Sequence, residues 1–267
     1  MIKQQILKYF QNQKNQFDLN FKPAFSIANE KAIHDMRVSI KRLRLIYRFL
    51  DFVSDKQFCA KKKSKLLVNI FKSAGPLRDV QIQLSILEEL KEDLKSNYPN
   101  LNEFLNIKLK EGIKKFREKG VTFNVNEIDQ LFNFSEAVLK IIIDFPDLQQ
   151  AFENYKKNRQ QKIQTLLKNA KNKVDFHQVR KRIKDLTYLA EIQQIQIEKP
   201  NDEVIHLKLL GKKLGDWHDI EVFLNELSSV NYKQTKTTGD FKEIKTKLKQ
   251  QQQVIIDQFY LEYHGFS

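Results

Sequence analysis

The sequence predicts an all-α protein, and three observations support this fold class. The chain of 267 residues contains only 7 glycines and 5 prolines, whereas β-rich folds and folds with glycine-rich loops need many tight turns. Apolar residues recur every three or four positions along most of the chain, which is the period of an amphipathic helix. Hydrophobic residues make up 41% of the chain, so a chain of this length can bury a sizeable core.

Helices are predicted in order along the chain from this periodicity and from residues that end helices. Gly75 and Pro76 are expected to end one helix and open the next, and further breaks are expected at Pro99, Pro146 and Pro200. The predicted helices are 2–17, 27–52, 56–74, 77–96, 100–118, 126–143, 147–171, 175–196, 201–214, 217–228 and 240–262.

Three positions at or between the predicted helices have specific expected roles. Ser26 is expected to cap the helix that starts at residue 27, because its hydroxyl can accept a hydrogen bond from a free backbone N–H group. Gly215 separates two predicted helices, and its missing Cβ is expected to permit a turn or a close approach between helices. The polar segment 231–240 is predicted to be a loop.

Positive charge narrows the classes of partner that suit this chain. Lysine and arginine total 47 against 33 aspartate and glutamate residues, for a net charge of +14, which favours a polyanion such as nucleic acid, anionic lipid or polyphosphate as the binding partner.

The apolar runs are too short to cross a membrane, and the first residues lack the apolar core of a signal peptide. The single cysteine, Cys59, excludes an intramolecular disulfide and a cysteine-rich zinc site. We therefore expect a cytoplasmic protein with no membrane partner.

Two short segments occur twice in the chain, in the same order. His34–Leu43 (HDMRVSIKRL) recurs 143 residues later as His177–Leu186 (HQVRKRIKDL). Lys72–Val80 (KSAGPLRDV) recurs 140 residues later as Lys212–Ile220 (KKLGDWHDI). Two ordered matches at nearly equal offsets indicate a tandem duplication. The predicted repeats are 1–145 and 146–267.

Basic side chains form a row along the predicted helix 27–52 when its residues are placed 100° apart. The row consists of His34, Arg37, Lys41, Arg44 and Arg48. Apolar residues flank the row on both sides, and a separate polar face is predicted to meet the solvent. That polar face holds Asp35, Ser39 and Arg42. Because like charges at this spacing repel one another, a linear anion that meets them together would stabilise the fold, so we predict an anion-binding groove.

The second copy and the neighbouring helices add further cations. In the second copy the matching residues are His177, Arg180 and Lys184, but Thr187 and Glu191 stand where the first copy has Arg44 and Arg48. The second copy is therefore predicted to be electrostatically weaker. Helix 56–74 adds Lys65 and Lys72 on one face, together with Lys61, and their counterparts in the second copy are Lys208 and Lys212.

The doubled motif resembles the CHAD domain, a family of α-helical domains named for conserved histidines. The resemblance is carried by 34–47 and 177–191, each followed by a Gly-x-x-[Arg/His]-Asp-[Val/Ile] element, and it covers about residues 20–265. It implies one compact domain of two four-helix bundles related by pseudo-twofold symmetry, with a basic central cavity that binds inorganic polyphosphate. It also implies an association with polyphosphate granules. The polyphosphate contacts that it implies are His34, Arg37, Lys41, Arg44, Arg48, Lys65, Lys72, His177, Arg180, Lys184, Lys208 and Lys212.

Two other functions stay open beside polyphosphate binding. The net charge would also suit an RNA- or DNA-binding helical protein, although no aromatic or polar side chains suited to reading bases are interleaved with the basic row. An enzyme acting on phosphoanhydrides, or a metal-binding protein using the histidines, would need clustered carboxylates or a known motif. The sequence contains no P-loop, HExxH or nucleophile-elbow motif. We therefore predict non-catalytic binding that needs no cofactor and no metal.

Overall fold

The computed structural model describes residues 2–142, 145, 147–168, 173–197, 199–229 and 238–264. Within these ranges the chain forms eleven helices and no strand, which confirms the predicted all-α class. The helices are α1 (Ile2–Ile27), α2 (Glu30–Val53), α3 (Ala60–Lys63), α4 (Lys65–Ser73), α5 (Gly75–Leu94), α6 (Pro99–Gly120), α7 (Val125–Ile142), α8 (Leu148–Lys168), α9 (Lys173–Gln193), α10 (Asp202–Ser229) and α11 (Thr238–His264). None of the described helices has an apolar stretch that is long enough to span a bilayer.

The helices assemble into two compact units, and each unit combines stretches from both halves of the sequence. Unit 1 comprises Met1–Gly75 and Phe116–Lys208, and unit 2 comprises Pro76–Lys115 and Leu209–Ser267. The duplication into repeats 1–145 and 146–267 stays a prediction about the sequence. Part of its expected seam, Pro146, lies outside the described residues.

The core of unit 1 forms where α1 packs along α2 and α8 packs along α9. Phenylalanines from α1 and α7 interlock there: the ring of Phe132 lies edge-on to Phe17 at 5.4 Å and to Phe10 at 6.4 Å between ring centres. All three side chains are fully buried. Such edge-to-face pairs add about 0.5–1.5 kcal/mol beyond the burial of their area.

The core of unit 2 is formed by α5, α6, α10 and α11, which contribute leucine, isoleucine and aromatic side chains. Tyr98, at the turn that precedes α6, is buried and donates a hydrogen bond to Glu243 of α11 at 3.0 Å. An ion pair of 2.6 Å between Lys108 and Glu226 links α6 to α10. Trp217, the single tryptophan of the chain, is 2% exposed.

The first helix is ten residues longer than predicted, and its neighbour starts at a different cap. α1 continues to Ile27 with Pro23 inside it, because Phe17, Phe21 and Phe25 extend the same apolar face and pack against one another. Ser26 therefore lies within α1, and the prediction that it caps the second helix is wrong. Asn29 takes that role, since its side-chain oxygen accepts a hydrogen bond from the backbone N–H of Ala32 at 2.8 Å.

Three further helix boundaries differ from the predictions. The predicted helix 56–74 is two helices that meet at Ser64, and the residue before α3, Cys59, has a left-handed backbone with φ of 56°. α10 passes through Gly215 without a break, and a Cβ at that position would meet no described atom within 4 Å. A glycine inside a helix costs about 1 kcal/mol, which the buried neighbours Leu214 and Trp217 offset. Of the predicted loop 231–240, the last three residues belong to α11, and 231–237 lie outside the described residues.

The cap of α2 can be tested directly. Replacing Asn29 with alanine removes the acceptor for the Ala32 N–H, and the free energy of unfolding is expected to fall by about 1 kcal/mol in urea denaturation. Ser26→Ala is the matched control, because that side chain lies within α1. Equal losses for the two variants would contradict the assignment of the cap.

Candidate functional site

The cationic row on α2 lies between two buried apolar rows, as the helical wheel predicts. Arg37, Lys41, Arg44 and Arg48 are half-buried, whereas His34 at the start of the row is exposed. The apolar residues on one side are Met36, Ile40, Leu43, Tyr47 and Leu50, all fully buried, and those on the other side include the buried Leu45 and Phe49. The row therefore presents charges that are only partly in contact with solvent.

Phe71 of α4 orients Arg37 and Lys41 of this row. The Arg37 guanidinium donates a hydrogen bond from Nη1 to the Phe71 carbonyl oxygen at 2.8 Å and lies 4.0 Å from the centre of the Phe71 ring. The ammonium of Lys41 is 5.5 Å from the same ring. Contacts of a cation with an aromatic face contribute about 0.5–1 kcal/mol at partly exposed sites. Both side chains are therefore held on the same side of α2.

The last two cations of the row interact with each other and with α9. Burial lowers the pKa of Arg44, and the positive charge of Arg48 lowers it further, while Asp185 of α9 acts in the opposite direction. Arg48 forms an ion pair of 2.5 Å from Nη2 to Oδ1 of Asp185. The C-terminal end of the row thus meets α9, which carries the second copy of the motif.

The second copy lies on α9, with His177, Arg180 and Lys184 half-buried. Thr187 is 3% exposed and donates a hydrogen bond to the Ile183 carbonyl at 2.8 Å. At the two positions where the first copy has Arg44 and Arg48, this copy therefore offers a buried hydroxyl and the carboxylate of Glu191.

The expected solvent face of α2 is packed, and that prediction is wrong for two of its three residues. Ser39 is 1% exposed, and Arg42 donates hydrogen bonds to Glu191 of α9 at 3.0–3.1 Å. Asp35 alone stays partly exposed, 4.0 Å from Lys31. The physical reason is that α1 packs along α2 while Glu191, which is distant in sequence, neutralises the arginine there. Glu191 also accepts a hydrogen bond from the Tyr9 hydroxyl at 3.0 Å.

The four predicted lysines outside the two motif helices are all exposed. Lys65 lines an open cavity of about 490 Å³ with Lys62 and Lys63 on one side and α7 on the other. Lys72 lies in the last turn of α4, next to Phe71. The ammonium of Lys208 lies 3.4 Å from Oε1 of Glu191, so Glu191 is the counter-ion of both Lys208 and Arg42.

Two pairs of the predicted contacts lie together on α2. Arg37 and Lys41 share one aromatic ring, and Arg44 and Arg48 are electrostatically coupled. Lys65 instead shares its cavity with α3 and α7, and Lys212 belongs to unit 2, whereas the other predicted contacts belong to unit 1.

Two arginines near the row were not predicted from the sequence. Arg159 of α8 and Arg182 of α9 lie 3.6 Å and 4.0 Å from Oδ2 of Asp185. The position of Arg159 has a signal in the sequence, because the buried residues of α8 recur at helical spacing and include it. They are Leu148, Phe152, Tyr155, Arg159 and Ile163. Among the described residues, no group of three or more His, Cys, Asp or Glu side chains is arranged to hold a metal ion.

Comparisons with known proteins agree on one family. The sequence model of the CHAD domain matches residues 8–228. The structure is similar to the crystal structure of the CHAD domain from the plant Ricinus communis, with a TM-score of 0.74 and 15% identity over 99% of this chain and 92% of that one. It is also similar to PptA from Streptomyces chartreusis, with a TM-score of 0.70 and 11% identity over 98% and 99% of the two chains. A comparison with curated proteins gives no match. Since the family model covers most of the sequence and the solved structures share its fold, this chain belongs to the CHAD domain family.

Proposed function

We propose that this CHAD domain binds inorganic polyphosphate and catalyses no reaction on it. The observation that carries the proposal is the half-buried row Arg37, Lys41, Arg44 and Arg48 between two apolar rows of α2. With His34 the row spans about 21 Å at 1.5 Å per residue. A linear anion of closely spaced charges is the class of ligand that can meet all of its members at once.

The electrostatics of the row support an oxyanion as ligand. Burial lowers the pKa of Arg44, and so does its neighbour Arg48, which means that its positive charge is destabilised in the folded protein. A phosphate group beside it would offset this cost, and an arginine fork matches phosphate oxygens in a bidentate arrangement. Membership in the CHAD domain family supports polyphosphate as the source of those oxygens.

The proposal is tested by titrating the full chain with long-chain polyphosphate at several salt concentrations. The variant R37A/K41A/R180A is expected to bind at least about tenfold more weakly, and the slope of log K against log salt is expected to fall by about 2–3, because each lost phosphate contact removes about one unit. Circular dichroism verifies that helicity is retained.

The matched control removes three cations from exposed positions elsewhere. Lys31, Lys115 and Lys140 have side chains that are 87%, 77% and 62% exposed, and K31A/K115A/K140A is expected to bind within about twofold of the wild type. Equal losses in the two triple variants, or no binding by the wild type at low salt, would reject the proposal.

Two additional measurements separate this proposal from other functions. Single-stranded RNA and duplex DNA are expected to displace polyphosphate poorly, and efficient displacement would favour a nucleic-acid-binding protein. Incubation with polyphosphate and Mg²⁺ is expected to release no phosphate, and release would show that the protein is an enzyme.

We also propose association with polyphosphate granules, for which co-sedimentation of the wild type but not of R37A/K41A/R180A is the expected result.

A further inference from the structure

Three arginines from three helices of unit 1 converge on a single carboxylate, Asp185. Arg48 of α2 lies 2.5 Å from its Oδ1, and Arg159 of α8 and Arg182 of α9 lie 3.6 Å and 4.0 Å from its Oδ2. Within the described part of the chain, the ion pairs of these three arginines all end on Asp185. The side chain of Asp185 is 10% exposed. We call these four residues the Asp185 cluster.

Arg159 is held rigidly in this cluster. Its guanidinium lies 4.0 Å from the ring centre of Tyr155, which is itself 1% exposed and packs edge-on against Phe49. Arg159 is only 9% exposed, so burial and the Tyr155 ring restrict its side chain in the folded protein. Pre-organisation of this kind lowers the entropic cost of binding.

The carboxylate of Asp185 does not provide a hydrogen-bond acceptor for every buried N–H group of the arginines around it. The Nε atoms of Arg159 and Arg182 are both buried and have no hydrogen-bond partner among the described residues. The contacts that these arginines do make with Oδ2 of Asp185, 3.6 Å from Nε of Arg159 and 4.0 Å from Nη1 of Arg182, are too long for hydrogen bonds. A buried donor that lacks a partner carries a desolvation cost. A tetrahedral anion with three free oxygens could offer acceptors that the planar carboxylate cannot.

Further positive charge lies beside the cluster. Arg44 of α2 and Lys162 of α8 are coupled to it electrostatically, since Arg48 lowers the pKa of Arg44, and Arg182 and Arg159 lower that of Lys162, in addition to desolvation. Arg44 and Lys162 thus add two positive charges to the three arginines that pair with the single carboxylate of Asp185. This excess is large enough to accept a second anion.

We propose that the Asp185 cluster is a binding site for a phosphate group and that Asp185 is an internal anion that competes with this group for Arg48, Arg159 and Arg182. The identity of the ligand rests on the proposed function. The chemistry that the site recognises is a phosphoryl group with several free oxygens, either as part of a polyphosphate chain or as a small free phosphate. Asp185 thereby stabilises the empty protein and weakens the complex.

The test compares D185N with the wild type in titrations with long-chain polyphosphate. The variant keeps the side-chain shape and removes the competing charge, so its affinity is expected to rise about tenfold. Its melting temperature without ligand is expected to fall, and polyphosphate is expected to raise that temperature more than in the wild type. Inorganic triphosphate and inorganic phosphate are titrated in parallel. A gain that extends to them identifies a site for one phosphoryl group, whereas a gain confined to the polymer identifies a site that works as part of the α2 row.

The control for D185N is E203Q, because Glu203 forms a one-to-one ion pair of 2.8 Å with Lys156 in the same unit. It removes one negative charge without exposing a surplus of cations, and its affinity for polyphosphate is expected to change by less than about twofold. Should D185N fail to fold, R182Q tests the same site and is expected to bind polyphosphate more weakly than K115Q, which removes an exposed lysine.

The failure of this inference differs from the failure of the proposed function. If the wild type binds polyphosphate but D185N binds it no more tightly, the competition by Asp185 is refuted. If R182Q binds as tightly as K115Q, the phosphate site at the Asp185 cluster is itself refuted. If the wild type binds no polyphosphate, the proposed function itself is refuted, and a rise in the melting temperature of D185N with inorganic phosphate still reports on the Asp185 cluster.

Discussion

Replacing Tyr155 with alanine is expected to lower the free energy of unfolding by about 4 kcal/mol. Tyr155 is 1% exposed, and its ring lies 5.5 Å from that of Phe49 and 5.1 Å from that of Phe52, so truncation leaves a cavity between α2 and α8. The same ring supports Arg159 at 4.0 Å. A loss of this size is a large part of the total stability of a domain.

Tyr155→Phe is the matched control, because it keeps every ring contact and removes only the hydroxyl. It is expected to change the free energy of unfolding by no more than about 1 kcal/mol. Urea denaturation of both variants, followed by circular dichroism, measures the difference. A Tyr155→Ala variant within 1 kcal/mol of the wild type would show that the ring is not part of the core as described.

Raising the pH from 10 to 12 is expected to destabilise the protein by about 2 kcal/mol through Tyr188 alone. Burial raises the pKa of Tyr188 from 10 to about 12, with Arg42 opposing the shift and Glu191 supporting it. Below pH 10 the phenol is protonated in both the folded and the unfolded chain, so the stabilising contribution is complete. Above pH 10 the unfolded chain loses the proton first, and the contribution disappears as the pH approaches 12.

Tyr9 and Tyr47 act in the same direction, because burial is the main cause of a raised pKa for each. The contribution of Tyr188 is isolated by comparing the wild type with Y188F in urea denaturation between pH 8 and pH 11.5. The difference between the two is expected to be constant up to about pH 10 and then to change in favour of Y188F. Parallel curves over the whole range would contradict the burial of Tyr188 beside Arg42 and Glu191.

The helices and the cationic row could be predicted from the sequence because both depend on spacing within one segment. Arg37, Lys41, Arg44 and Arg48 recur at three- and four-residue intervals, and the apolar residues beside them do the same, so the face on which each lies follows from helical geometry. Similar spacing on α8 places Arg159 among buried residues. Helix ends were less predictable: Asn29 rather than Ser26 caps α2 because the phenylalanines at the end of α1 pack together and extend that helix.

The counter-ions could not be predicted in this way. Arg42 was expected in solvent, yet it pairs with Glu191, which is 149 residues away, and Arg48 pairs with Asp185, which is 137 residues away. No local pattern connects residues at such separations. The sequence pattern marks Glu191 only as the residue that stands in place of Arg48 in the second copy, and it predicts no role for Asp185.

By itself, the sequence determined that this protein is all-α, that it belongs to a family with doubled histidine–arginine motifs, and that one helix carries a row of cations between apolar rows. These features depend on residue type and on intervals of three or four, and every helix imposes the same geometry on them. Only the tertiary structure decided which cations pair with a carboxylate and which can still bind the oxygens of a ligand anion. The packing of α2, α8 and α9 sets the distances from each arginine to Asp185 and Glu191, and charge interactions depend on those distances and on burial.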